Sequence, residues 1–454
     1  MSLLLVVILS ILSTLLYIFI GILPGTDETA TMAPIALTLL LAGMDPMLVL
    51  VWFIASIAAF KMADSIPVAL AGIPGGVMAV PQVPDALIAK EHGLADVILR
   101  KGIAASVVGQ VVAIVVSLAL SYYIMPVGDW LRATDVVLGV KVARWFWLVL
   151  VGVVVLALTS RNRFIALISI PAVALVFQGL RAVYGKSVYI SFFLGITIGP
   201  MMFELLSMLH RELRNSYVRK GLKEVKLLKV EKISLNPLKI LTKEELTHST
   251  IWSAVTSVLA TVMSPVGLTT LIGDLLRESK KDRVRGAVLA YTVRDAIKNA
   301  TYIGGTLIPL LVIGAPTGPM AAGPAAPFFG KYDHLGMTAR DFIVTHYDYL
   351  TIVVMIFIST AIAFLVAYPI LVKYSRALTL AVFRRVPAEA LYGLFIAIVL
   401  MLSYYDAKIA GIFGTIIVSL VSGALWRLGV SLGVLFMVLV SAPTLVPLLM
   451  ALPI

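Results

Sequence analysis

Ile66-Pro67-Val68-Ala69-Leu70-Ala71-Gly72-Ile73-Pro74-Gly75-Gly76 reads I-P-x-x-x-x-G-x-P-x-G. The same five fixed positions return in Ile308-Pro309-Leu310-Leu311-Val312-Ile313-Gly314-Ala315-Pro316-Thr317-Gly318, 242 residues later (308 − 66). Upstream, Leu23-Pro24-Gly25-Thr26 and Ser264-Pro265-Val266-Gly267 stand 241 apart (265 − 24). Two matches, in order and at nearly one offset, imply an internal duplication. Each string interrupts an apolar run with helix-breaking residues, so the repeated unit contains broken helices.

The 454-residue chain as a whole is 60% hydrophobic and only 13% charged, with a mean hydropathy of +1.03. Such a balance excludes an ordinary soluble domain, and it excludes disorder. At about 20 apolar residues per crossing there is room for roughly ten to twelve membrane helices. Simple spans are expected at 103–125, 142–159, 163–183 and 188–208, then at 350–372, 388–404, 407–426 and 430–451. Each set of four follows a broken stretch, 3–84 or 250–330. The expected fold is an all-α polytopic membrane protein of two structural repeats. Residues 1–208 form the first, 209–248 a basic linker and 249–454 the second.

The net charge of +12 is confined to three segments: 209–248 carries +5, 276–286 carries +3 and 373–387 carries +4. Short basic loops between apolar segments read as cytoplasmic, not as a nucleic-acid surface. Counting spans back from an inside 209–248 puts Lys90–Lys101 inside. Leu3–Ile22, with no Lys or Arg before Lys61, is expected to be a membrane helix that starts outside rather than a signal peptide. Span 103–125 then runs in to out, and its counterpart 350–372 runs out to in. The repeats are therefore expected to be inverted. Inverted repeats with interrupted helices are the architecture of many secondary transporters, because breaks at membrane depth bare peptide groups beside a cavity. A half-helix N-terminus there favours an anion. The bland alternative is that Pro and Gly only kink tightly packed helices.

Gly21-Ile22-Leu23-Pro24-Gly25, followed by Ser65-Ile66 and Ile73-Pro74-Gly75, resembles the first half of the large membrane subunit of tripartite tricarboxylate transporters, the TctA-like family. Asn299-Ala300-Thr301-Tyr302-Ile303-Gly304-Gly305, Pro309 and Gly314-Ala315-Pro316 follow the order of the second-half motif. The resemblance implies a permease that imports carboxylates on an H⁺ or Na⁺ gradient, with an elevator-like motion. It also implies a small membrane subunit and an extracytoplasmic solute-binding protein as partners. The chain departs from the family at Thr26-Asp27-Glu28-Thr29, where two carboxylates would repel a tricarboxylate. It departs again at Arg294-Asp295-Ala296-Ile297-Lys298.

Candidate substrate contacts near the breaks are Gly25, Thr26, Ser65, Gly75, Thr269, Thr270, Lys298, Asn299, Thr301 and Thr306. Each hydroxyl or amide has helix packing as its alternative role. Asp27, Glu28 and Asp64 are candidates for a coupling proton or cation, with a solvated surface loop as the alternative for the first two. Lys61 and Asp64 are spaced for an i,i+3 pair, or Lys61 snorkels. Arg294 and Lys298 share a helical face and suit a carboxylate ligand, or else continue an interfacial basic helix. Glu204 reads either as a buried relay acid or as a surface acid.

There is no Cys, and the five His show no ligand spacing, so neither a metal site nor a cofactor is implied. Leu271-Ile272-Gly273-Asp274 lacks the first Gly of an intramembrane aspartyl protease motif, and no H-E-x-x-H or P-loop occurs. A solo carrier or a channel for another solute stays open beside the permease reading, as does a homo-oligomer.

Overall fold

The computed structural model describes residues 3–23, 26, 28–72, 75–184, 188–212, 236–385 and 388–452. Nearly all of these residues are helical, and two short hairpins are the only sheet described. Among the described residues, nine helices are long and apolar enough to cross a membrane, with Glu28–Leu41 and Trp145–Thr159 as shorter apolar helices. The chain is an all-α polytopic membrane protein.

The first half comprises α1 (Leu3–Ile22), α2 (Glu28–Leu41), α3 (Pro46–Ala63), α4 (Ser65–Ala71), α5 (Val83–Glu91) and α6 (Ala95–Tyr123). It continues through α7 (Met125–Arg132), α8 (Trp145–Thr159), α9 (Arg163–Tyr184) and α10 (Tyr189–Leu209). The second half has α11 (Lys243–Leu259), α12 (Pro265–Glu278), α13 (Arg283–Ile308), α14 (Tyr349–Arg385), α15 (Ala388–Arg427) and α16 (Leu432–Met450). α15 folds back on itself at Ala407 and Lys408, where the backbone leaves the helical region. Ser403 therefore touches Thr415 at 2.6 Å across two antiparallel legs.

Side-chain contacts give the helix directions. Ser13 of α1 donates to Trp52 of α3, and Gly21 of α1 lies against Ala63, so α1 and α3 run parallel. In the second half Glu244 pairs with Arg285 at 2.8 Å and Gly304 packs on Ser257, so α11 and α13 also run parallel. Between the halves the order reverses. Lys61 meets Tyr302, Asp64 meets Lys298, and Ser65 meets Asp295 and then Tyr291. α3 and α13 are thus antiparallel, and the two halves are inverted with respect to each other. The long helices are exchanged accordingly: α6 packs on α11 and α13, while α14 packs on α1 and α3.

The repeated Pro/Gly string has one structural meaning in both halves. Gly72 (φ +73°) and Gly314 (φ +71°) each end their broken helix in the left-handed region, which glycine enters without steric cost. The second helix widens to a π turn at Pro309–Ile313 before it stops. α11 and α12 form a hairpin whose two ends lie together, since Glu244 pairs with both Lys280 and Arg285.

Several boundaries differ from the sequence reading: the span expected from 103 begins at Ala95, the one expected from 142 begins at Trp145 after a β-hairpin, and two more have a clear local cause. α14 does not stop near 372 but runs to Arg385, carrying Lys373 and Arg376 on the helix. No Gly follows until well beyond Pro387, so nothing ends the helix when it leaves the apolar layer. α11 begins at Lys243, inside the stretch read as a loop. There Thr242 and Glu245 make a reciprocal capping box, which fixes the start in spite of the basic composition.

Candidate functional site

Where α3 and α13 cross, five ionisable side chains are enclosed. Lys61 pairs with Glu28 and stands 3.6 Å from Asp64. Lys298 pairs with Asp64 and, at 2.7 Å, with Asp295, and it donates to Ser65 at 2.7 Å. Ser65 in turn donates to Asp295 at 2.5 Å. Lys61, Asp64, Ser65, Asp295 and Lys298 are all 0% exposed. Lys61 lies 15 residues past the start of α3 (61 − 46), and Lys298 lies 15 past the start of α13 (298 − 283). At 1.5 Å per residue each is about 22 Å from its helix start, so the cluster sits deep between the two faces.

Charges at such depth persist only when paired or functional. Here three carboxylates (Glu28, Asp64, Asp295) meet two ammonium groups (Lys61, Lys298), which leaves one excess negative charge among the described residues. Asp64 Oδ2, Asp295 Oδ2 and Asn299 Oδ1 have no hydrogen-bond partner among them.

A cavity of about 1100 Å³ opens beside this cluster, between the halves. Its deep end includes Glu28, Thr29 and Tyr302, with Val77 and Met78 on one side and Pro319 and Met320 on the other. The tip of the α11–α12 hairpin, Ser264–Gly267, lines it, and α12 continues the wall through Thr270, Asp274 and Glu278. The far end reaches Arg161 and the loop at 427–433, which are joined by Asn162 N–H donating to Gly429 O. Glu28 and Tyr302 belong to both cavity and cluster, since Lys61 pairs with one and lies 4.5 Å from the ring of the other. Ser264 caps α12 through Gly267 N–H, so the first turn of that helix faces the cavity.

A second charge group lies one helical turn from the first. Arg294 pairs with Asp85 and with Asp274 at 2.6 Å, and it donates to Pro81 O and Thr269 O. Arg277 joins both acids, at 3.2 and 2.6 Å. This group ties α5 of the first half to α12 and α13 of the second.

The residues singled out from the sequence divide clearly. Glu28 is buried and paired, not a solvated loop acid, and Lys61 does not snorkel. Ser65, Asp64 and Lys298 meet in the cluster, and none of them lines the cavity. Thr26 hydroxyl donates to Ile20 O and Leu23 O and approaches Gly75 O, bringing the two breaks of the first half together. Gly75 rests against the Asp64 backbone, where a Cβ would collide. Thr270 lines the cavity, while Thr269 and Thr301 donate to backbone carbonyls of their own helices. Asn299 donates to Ser106 of α6, and the Thr306 hydroxyl is buried with no partner among the described residues. Gly25 and Asp27 lie outside the described residues. Glu204 is half-buried and away from the cavity. Asp274, noted only for an incomplete protease string, is an ion-pair partner of two arginines. Tyr302 and Asp295 were missed as site residues. Asp295 carried one signal, its i,i−3 spacing from Lys298.

Inverted units with broken helices and a cavity between them are the architecture of many secondary transporters. The chain matches the tripartite tricarboxylate transporter TctA family over residues 7–437 and belongs to it. Neither a curated protein nor a solved structure matches. Membership implies a subunit of a tripartite tricarboxylate transporter, a system with a small membrane subunit and a solute-binding protein.

Proposed function

We propose that the chain is the permease of a secondary carrier that moves small organic anions, carboxylates, by alternating access. The observation that carries this reading is the sharing of Glu28 and Tyr302 between the cavity and the charged cluster. A solute in the cavity would touch the same residues that hold Lys61, so its binding can alter the cluster and be coupled to an ion. The carboxylate of Glu28 does not stand bare to repel an anion, because Lys61 neutralises it. The first turn of α12 supplies the positive dipole end that an anion prefers. The excess negative charge of the cluster favours a co-transported cation, H⁺ or Na⁺, and Asp64 is its acceptor on this reading. With the basic face cytoplasmic, the cavity opens inward.

The test is uptake into reconstituted vesicles over a panel that includes citrate, succinate and malate, with imposed H⁺ or Na⁺ gradients. Saturable counterflow that an ion gradient drives uphill supports the carrier. Flux that never saturates points to a channel and overturns it. The chain has no Cys, so Thr270→Cys offers one thiol in the cavity wall. An impermeant thiol reagent should reach it from the basic-loop side without substrate; labelling only from the opposite side would refute the inward-open orientation.

A further inference from the structure

Lys298 is placed as an ion rather than as a side chain reaching for a ligand. Its Nζ is met by Asp64 Oδ1, by Asp295 Oδ1 at 2.7 Å and by Ser65 Oγ at 2.7 Å. An ammonium has three donors and no acceptor, so these oxygens use it completely. Two carboxylates and a hydroxyl converging from two inverted helices are the ligand chemistry of a hard cation. The two halves contribute separately: Asp64 and Ser65 come from the first, Asp295 from the second. Of the neighbouring cations, Lys61 is held by Glu28 and stands 3.6 Å from the second Asp64 oxygen, while Arg294 is held by Asp85 and Asp274, and Lys101 on α6 by Glu245; none of them reaches both Asp64 and Asp295.

We propose that the Lys298 ammonium is a tethered cation filling the position that a transported metal ion would need, so that the carrier cycles without Na⁺ at the junction of its two halves. A tethered charge neutralises the acids in every state but cannot leave with the substrate, and so draws no energy from a sodium gradient. The inference rests on reading the cluster as the ion-coupling centre, and it removes one of the two ions that reading allows. Deleting the ammonium would leave Asp64 and Asp295 buried without a common counter-charge. Their oxygens would then take Na⁺ from solution.

The experiment compares purified wild type, Lys298→Ala and Lys298→Gln in NaCl and in choline chloride of equal ionic strength, by melting temperature and by retention of radioactive sodium. Wild type should melt identically in the two salts and retain no sodium. Lys298→Ala should melt lower in choline chloride, recover much of the loss in NaCl and retain sodium, since a ligand that binds only the folded state raises its stability. Lys298→Gln, whose amide still reaches one acid, should follow with a smaller shift. Sodium-specific stabilisation of wild type, or variants that melt alike in both salts and hold no sodium, would overturn the proposal. Should neither variant be recovered folded, wild type in the two salts decides it by the same criteria. No substrate enters these readouts, so a failed uptake panel would sink the carboxylate reading and leave this result standing.

Discussion

Two charge clusters occupy neighbouring turns of α13, and they are built to opposite rules. Around Arg294 the account balances, with Arg294 and Arg277 against Asp85 and Asp274, and one edge reaches the cavity wall at Asp274. Around Lys298 it does not: three acids face two bases, all deeply buried. A balanced, richly hydrogen-bonded group clamps elements together and gains nothing from exchange with solvent. An unbalanced one, enclosed at mid-depth, keeps a use for one more positive charge. On the function proposed above, the contrast separates the part that fastens the inverted halves from the part that couples transport to an ion.

The largest effect should come from breaking the clamp. Arg294→Met leaves Asp85 buried beside a single partly exposed arginine and should cost about 3–5 kcal/mol. Denaturation in detergent measures it; a loss below about 1 kcal/mol, the range of exposed pairs, would mean that the clamp is dispensable. Next in size is packing across the halves. Gly109 lies directly on the Ala296 backbone, where a Cβ would collide, so Gly109→Val should separate α6 from α13. The expected cost is about 1–3 kcal/mol, with slowed uptake. Wild-type stability and rate in that variant would show that the two helices are not held at this contact.

The smallest effect belongs to the ion pairs at the basic face, outside the membrane-spanning segments. Hydrogen bonds from Lys280 and Arg285 hold the Glu244 carboxyl down at about 2. Its folded value lies below its unfolded one, so the support it gives is present above the unfolded value near 4.3 and fades as pH falls toward about 2. Glu244→Gln should therefore flatten a slight acid destabilisation between those limits. An unchanged melting profile across that pH range would remove the pair from the account.

The duplication was legible in the sequence because Pro and left-handed Gly are demanded by the backbone, whatever packs around them. Gly72 and Gly314 have the same conformation for the same reason that they match in the sequence. The inversion was legible from the basic segments, since charge sorting acts on each loop independently. The cluster was not. Ser65 and Asp295 are 230 residues apart, and no local pattern says which buried charges will face one another. The sequence offers Lys298 as an anion-binding residue without its ion pairs, because Asp64 and Asp295 can be judged there only as separate, local charges. Charge also misled at 373–385, where basic residues suggested a loop and helix propensity prevailed.

Asp295→Asn is the decisive variant. It brings the Lys298 cluster to two acids against two bases, while the amide oxygen can still accept from Lys298 and Ser65. Stability and citrate counterflow should then stay near wild type, whereas accumulation driven by an imposed ion gradient should disappear. Gradient-driven accumulation at the wild-type level would contradict the assignment of coupling to the unbalanced charge.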